Sequence, residues 1–347
     1  MPARDGAAPR EPGRSAGNGI APPLRPLLLL YPLLLIAVLT WVELPWDTRL
    51  AEALENAGHV PLFGILALVF LWALPRRLAV RFPAWPARYA LVLTFCAAVA
   101  FLTEGLQALV GRDASLADIL RDMAGAAGFL GLHSVHSVPK AGWARWIRIG
   151  AALCLLGAAF WPVFVCIAGY AARELRFPVL LEGGSPLSRQ FLDFEDAAMT
   201  AAPAPRGWPA PRPDRVGRLV LNPGLYPGMA LREPVHDWSA YDVLEAEVFV
   251  PAPAPIEVTL RIDDRAHNGE YHDRYNQTFR LAPGLNRIRV PLARVRGAPR
   301  DRALDLKAVT QVFLFADGLR QTRTLLIGRF ALETEQSTDG KKTPSAP

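Results

Sequence analysis

Residues 89–110 read YALVLTFCAAVAFLTEGLQALV, a stretch in which Glu104 is the sole charged side chain. A bilayer core is crossed by roughly 20 apolar residues, and they must be helical because a helix satisfies its own backbone polar groups where water cannot. The stretch reads as a membrane span. Similar runs occur at about Leu27 to Val42, Gly58 to Leu74, Ala117 to Val138 and Ile149 to Tyr170. The first half is therefore expected to be an all-α polytopic membrane bundle of about five transmembrane helices. Hydropathy alone does not carry the fourth run, which contains Asp118, Arg121, Asp122 and His133. Its small residues Ala124 to Gly128 support close helix packing, and a re-entrant or tilted segment is the alternative.

The surrounding chain has a different composition. With 347 residues, of which 51% are apolar, the protein exceeds one ordinary core, and the apolar residues crowd between about 24 and 170. Residues 1–22, rich in Pro, Gly, Ala and Arg, are expected to be a disordered cytoplasmic tail. A transmembrane domain over 23–170, a connector over 171–187, a β-sandwich over 188–333 and a disordered tail over 334–347 complete the division. Leu27 to Val42 is long and ends in Glu43, Pro45 and Trp46, which reads as an uncleaved span rather than a secretory signal.

Loop charge gives the expected orientation. Arg76, Arg77, Arg81 and Arg88 lie between spans two and three, and Lys140, Arg145 and Arg148 between spans four and five, so both loops belong inside. Five spans with a cytoplasmic N-terminus put the sandwich outside. The net charge of +6 is accounted for by the tail, these loops and scattered strand positions, so nucleic acid is not an expected partner. Cys96, Cys154 and Cys166 fall within spans, which leaves no disulfide framework and no cysteine metal site. No cofactor or metal is expected.

Ionisable groups inside spans are costly and make default candidates for a site. Glu104 and Gln107 share one helix face, with Glu104 about 9 Å below Val110 at ~1.5 Å per residue. Arg112 follows at the surface, Ser115 and Asp118 form a helix-start pattern, and Asp122 lies one turn beyond Asp118. His59 is expected at the start of span two on the same side. These six polar residues, His59, Glu104, Gln107, Arg112, Asp118 and Asp122, could share one outer-face pocket. Asp118 and Asp122, four apart, need Arg112, a cation or a proton between them. The bland reading keeps Arg112 with Asp118 as an interfacial ion pair, Ser115 as a cap, and Glu104 with Gln107 as an interhelical pair.

Through His59, the Glu-x-x-Gln of Glu104 and Gln107, Arg112, Ser115, Asp118, Gly125 and Gly128, residues of about 45 to 138 resemble the VanZ-like membrane protein family. The chain departs from its pattern at Glu55 and Asn56, where Asp-Lys is common, and at Asp122, where Asn is common. The resemblance implies a multi-pass protein of the bacterial inner membrane and cell envelope, in a family whose namesake is linked to glycopeptide antibiotic resistance. It implies no particular biochemical activity.

The second half changes period. Val243 to Val250, Ile256 to Asp263, Tyr275 to Leu281, Asn286 to Leu292, Val309 to Ala316 and Thr324 to Glu333 read as strands bounded by Pro, Gly, Asn or Asp. Ile256, Val258, Leu260 and Ile262 alternate with polar residues, giving one buried and one wet face. Eight or nine such strands suggest an all-β jelly-roll sandwich. Tyr226-Pro-Gly228, Asp237-Trp-Ser-Ala-Tyr241, the polar loop Asp263 to Tyr275, Gly284-Leu-Asn286 and the closing Leu325 to Leu332 resemble galactose-binding-like modules, which include many carbohydrate-binding domains. A glycan rim would then use Asp263, Asp264, His267, Glu270, Tyr271, His272, Asp273 and Tyr275, since sugars need planar aromatic faces and hydrogen-bonding groups. The alternative is a solvated connection whose Asp, Asn and Gly residues only make turns.

No Walker loop, dinucleotide fingerprint, Gly-x-Ser-x-Gly elbow or His-Glu-x-x-His motif is present. Two classes of function remain. One is a non-enzymatic envelope factor whose partners are the lipid bilayer and an envelope polysaccharide or lipid-linked glycan. The other is a membrane enzyme with Glu104 as general acid or base, His59 as proton partner and Arg112 on an anionic group. Oligomeric state is not legible.

Overall fold

The computed structural model describes residues 30–41, 46–74, 76–82, 84–111, 115–137, 142–209, 212–235, 237–251 and 253–335. The chain divides into two compact units, one of Met1–Leu44 with Glu55–Phe160, the other of Pro45–Leu54 with Trp161–Pro347.

The first unit is helical. Its elements are α1 (Leu30–Trp41), α2 (Arg49–Ala73), α3 (Arg76–Arg81), α4 (Trp85–Leu109), α5 (Leu116–Ser137) and α6 (Gly142–Arg176), with the start of α2 and the end of α6 belonging to the second unit. Trp85-Pro86 opens α4, where the missing proline N–H is no loss, and Gly111 in the left-handed region follows its last turn. Phe63, Leu66, Val92, Cys96, Ala100, Ala126 and Leu130 form the core. Gly125 is what lets α5 meet α2: a Cβ there would stand 2.1 Å from the Val60 carbonyl oxygen. Leu33, Leu34, Trp72, Phe101, Leu102, Trp146 and Leu153 point outward and are exposed.

Among the described residues three helices, α2, α4 and α6, are long and apolar enough to cross a membrane, not the five expected. Helix α1 has 12 described residues, about 18 Å at ~1.5 Å per residue. Helix α5 carries Asp118, Arg121 and Asp122 in its first two turns, which lowers its hydropathy. Helix α6, with 35 residues, is about 52 Å long and exceeds a hydrocarbon core of ~30 Å.

The second unit holds eleven described strands: β1 (Val179–Glu182), β2 (Leu192–Glu195), β3 (Ala197–Pro203), β4 (Arg215–Leu221), β5 (Gly228–Arg232), β6 (Val243–Val250), β7 (Ile256–Asp264), β8 (Tyr275–Leu281), β9 (Gly284–Pro291), β10 (Val309–Phe315) and β11 (Arg323–Glu333), with short helices α7 (Pro186–Arg189) and α8 (Leu292–Arg296). They pair antiparallel into a six-stranded sheet, β3-β4-β11-β6-β9 with β1 also on β11, and a five-stranded sheet, β2-β5-β10-β7-β8. Leu180, Phe191, Leu219, Leu244, Val248, Leu260, Ile262, Val312, Leu314, Ile327 and Phe330 fill the space between them. Trp238 is fully buried with its indole N–H donating to the Val235 carbonyl at 2.7 Å, so it belongs to the core.

Strand β1 falls in the stretch read as a connector, and only Phe177 and Pro178 separate it from α6. Its partner is the Arg329–Ala331 end of β11. The expected alternation in β7 is present, with Ile256, Val258, Leu260 and Ile262 buried and Glu257, Thr259 and Arg261 facing out. It breaks at Asp263 and Asp264, both buried, where the β10–β7 register shifts between Val309 and Gln311. A bulge of this kind re-aims side chains.

Candidate functional site

In the helical unit, α2 and α5 bring His59 and Asp122 together. His59 lies inside α2, ten residues past Arg49, rather than at a helix start. Its Nδ1 is 2.9 Å from Asp122 Oδ1, and both side chains are buried. The sequence suggests Arg112 as the cation for the acids of α5, but Arg112 lies outside the described residues. Asp118 pairs with Arg121 on its own helix, while Asp122 pairs across to α2. Two acids one turn apart are thus separated by having different partners.

Glu104 and Gln107 also part company. Gln107 donates to the Leu39 carbonyl of α1 at 2.9 Å. Glu104 Oε2 accepts the Ser115 N–H at 2.6 Å, taking the reciprocal role in the cap of α5 that Asp118 was positioned to play. Ser115 Oγ accepts the Ala117 N–H at 3.2 Å. Two buried carboxylate oxygens, Glu104 Oε1 and Asp122 Oδ2, have no hydrogen-bond partner among the described residues. Such atoms cost on the order of 1–3 kcal/mol each.

The loop of the sandwich is organised by a residue the sequence did not single out. Arg302 grips Asp264 with Nη1 at 2.6 Å and Nη2 at 2.7 Å, and Asp273 through Nη2 at 3.0 Å. The Asp305 N–H adds to Asp264 at 2.7 Å and the Asn268 N–H to Asp273 at 2.9 Å. The Arg302 fork holds the Asp273 carboxyl down at about 2. Burial alone would raise Asp264, yet Arg302 and the Asp305 N–H bring it below the ordinary carboxylate value. His267 Nδ1 is 3.1 Å from the Asp273 carbonyl oxygen. Tyr271 is exposed, with the Arg274 guanidinium 5.4 Å from its ring centre. Asp273 is thus a lock of the loop rather than a free rim group.

Three residues of the expected rim, Asp263, Asp264 and His267, do meet at a cleft of about 610 Å³. Asp263 pairs with Arg261 at 2.7 Å. The rest of the wall includes Trp46, Asp47, Arg232 and Gln311, none of which the sequence reading placed there. Arg232 joins Asp47 at 2.7 Å and Asp193 at 3.2 Å. Arg49, the first residue of α2, also pairs with Asp193 and donates its N–H to Glu233 Oε1 at 2.7 Å, while Thr48 Oγ1 caps the Ala51 N–H. These contacts hold Trp46 and Asp47 over the outward face of β5, β10 and β7. That face continues along β10 to Phe313 and Phe315, stacked 4.8 Å apart, with Tyr226 edge-on to Phe315. The only sequence signal for this assembly was an aromatic residue, Trp46, at the end of an apolar run.

No family model and no curated protein matches the chain. Solved structures similar to it include an exo-beta-agarase, with a TM-score of 0.38, 13% identity, 46% of this chain and 25% of that chain covered. Another is a family 11 carbohydrate-binding module from Clostridium thermocellum in complex with a beta-1,3-1,4-mixed-linked tetrasaccharide, with a TM-score of 0.35 and 15% identity over 45% of this chain and 94% of that one. The chain thus spans about a quarter of the agarase. The sandwich description rests on the strand pairing given above, and no ligand or activity passes from these proteins to this one.

Proposed function

We propose that the protein is a non-enzymatic membrane factor of the cell envelope whose sandwich holds a glycan, free or lipid-linked, in the cleft beside Trp46. The observation that carries this reading is the cleft itself: an indole 64% exposed stands beside in-plane hydrogen-bonding groups of Arg232, Asp263, His267 and Gln311 in about 610 Å³. A pyranose needs that pairing of a flat apolar surface with directed polar groups. The apolar helices support a bilayer setting, and the VanZ-like resemblance of residues 45 to 138 favours a multi-pass inner-membrane protein with the sandwich extracytoplasmic.

The test is binding of the full-length protein in a neutral detergent to an array of envelope polysaccharides, beside its Trp46→Ala counterpart. Loss of a ring contact of about 1.4 kcal/mol weakens binding about tenfold. An array on which the wild-type chain retains nothing sinks the reading.

A second reading, an enzyme acting on a lipid-linked or envelope glycan, is favoured by one observation. The Asp122 contact at Nδ1 orients the His59 ring in the way a carboxylate orients a proton-transferring imidazole. In that reading His59 moves the proton, Asp122 positions it, and Glu104 offers its unpartnered Oε1. A His59→Gln variant with an undiminished envelope phenotype removes it.

A further inference from the structure

A second cleft of the sandwich unit, about 680 Å³, lies where α6 ends and β1 begins. Its wall carries Arg176, Arg212, Arg215, Arg287 and Arg329 against the carboxylates of Glu182, Asp214 and Glu247. Three of these arginines have a carboxylate partner: Arg176 with Glu182 at 2.6 Å, Arg287 with Glu247 at 3.5 Å, and Arg329 with Glu333 at 3.3 Å. Among the described residues Arg212 and Arg215 have none. Arg212 donates to the Ala204 carbonyl and Arg215 to the Ala201 carbonyl at 3.4 Å, and a carbonyl acceptor leaves the positive charge uncompensated. Two neighbouring guanidinium groups with spare N–H donors form a fork suited to an anion with several oxygens.

A further positive charge lies at the same helix end. Arg173, in the last turns of α6, is 6% exposed, and its Nε, Nη1 and Nη2 atoms have no hydrogen-bond partner. Its guanidinium lies 3.9 Å from the centre of the Phe191 ring. Closed off from solvent, it cannot itself hold a ligand, but it adds a positive charge one turn from Arg176. The apolar face of Trp208, stacked on Phe249, lines the cleft as well. Arg176 is the last residue of a helix long and apolar enough to cross a membrane, so a lipid headgroup is one source of such an anion.

We propose that this cleft binds a phosphate-type anion, held chiefly by Arg212 and Arg215. It is distinct from the cleft beside Trp46, shares no residue with it, and does not depend on glycan binding there.

The experiment uses the full-length protein in a neutral detergent, titrated with phosphatidylglycerol, with phosphatidylcholine as the zwitterionic comparison, and separately with inorganic phosphate. Retained lipid is read by native mass spectrometry and phosphate by thermal shift. Arg212→Gln with Arg215→Gln removes both uncompensated charges; Arg212→Lys with Arg215→Lys keeps them; Arg280→Gln with Arg320→Gln removes two charges that do not line the cleft. Preference for phosphatidylglycerol that falls about 30-fold in the Gln pair, on the order of fivefold per guanidinium, and survives in the other two pairs supports a lipid headgroup. Protection by inorganic phosphate lost in the same Gln pair, without lipid preference, supports the site with a soluble source. Equal retention of both lipids with no phosphate effect overturns the proposal, as does an equal loss in the Arg280 and Arg320 pair.

Discussion

Two acid–base clusters of similar composition occur in this chain, and they are finished differently. Around Arg302, all four oxygens of Asp264 and Asp273 have donors. Around His59, one oxygen of Asp122 and one of Glu104 are buried with no partner among the described residues. A saturated network in the sandwich fixes a loop. Buried acceptors left unpartnered in an apolar bundle are costly and mark a default candidate site. Candidate sites are therefore distinguished less by which residues gather than by what is left unpaired.

Substitutions can break or sharpen that contrast. Arg302→Met is expected to have the largest effect, about 3 kcal/mol of lost stability, because it strands a buried carboxylate; thermal unfolding of the full-length protein in detergent measures it. Gly125→Ala should cost about 2 kcal/mol, since the new Cβ meets rigid Val60 backbone and must push α5 off α2. The same unfolding assay reads it, and His59 should lose its contact with Asp122.

A matched pair of conservative changes tests the contrast directly. Asp264→Asn should lose about 1.5–2 kcal/mol, because charge-assisted bonds to Arg302 weaken. Asp122→Asn should change stability by less than about 1 kcal/mol, because the acceptor to His59 is kept and the exchanged atom had no partner to lose. Equal losses in the two melts would show that the His59–Asp122 pair is a structural ion pair like the other.

The smallest effect is with pH. Asp273 and Asp264 both titrate below their ordinary value when folded. Their contribution is complete above the unfolded carboxyl value of 3.8 and is lost as pH falls through about 2. Acid unfolding of the wild type should steepen in that window, and Arg302→Met should flatten the difference.

Much of the sandwich was legible because β-strands announce themselves locally. Val243–Val250 and Tyr275–Leu281 form over the expected residues, and β7, β10 and β11 differ from expectation by a residue at one end. Strand β1 was not legible, since Val179-Leu-Leu-Glu182 is too short to show alternation and both leucines are buried. The start of α2 was obscured by Arg49, Glu52 and Glu55, which resemble a loop until Thr48 and Glu233 are seen to cap them. In the sites, the residue types were readable and the partnerships were not. Arg302 meets Asp264 across 38 positions and Arg232 meets Asp47 across 185, and no local pattern encodes such distances. Of the residues expected to share a pocket, His59 pairs with Asp122, Glu104 accepts the Ser115 N–H and Gln107 reaches α1.

The joint of Phe177 and Pro178 between α6 and β1 sets a mechanical condition on any ligand the sandwich holds. Two residues reach no more than about 7 Å, so the domain has no leash. A module on a long flexible tether sweeps a volume and dilutes its own encounters; this one keeps its grip at a fixed distance from the end of a helix.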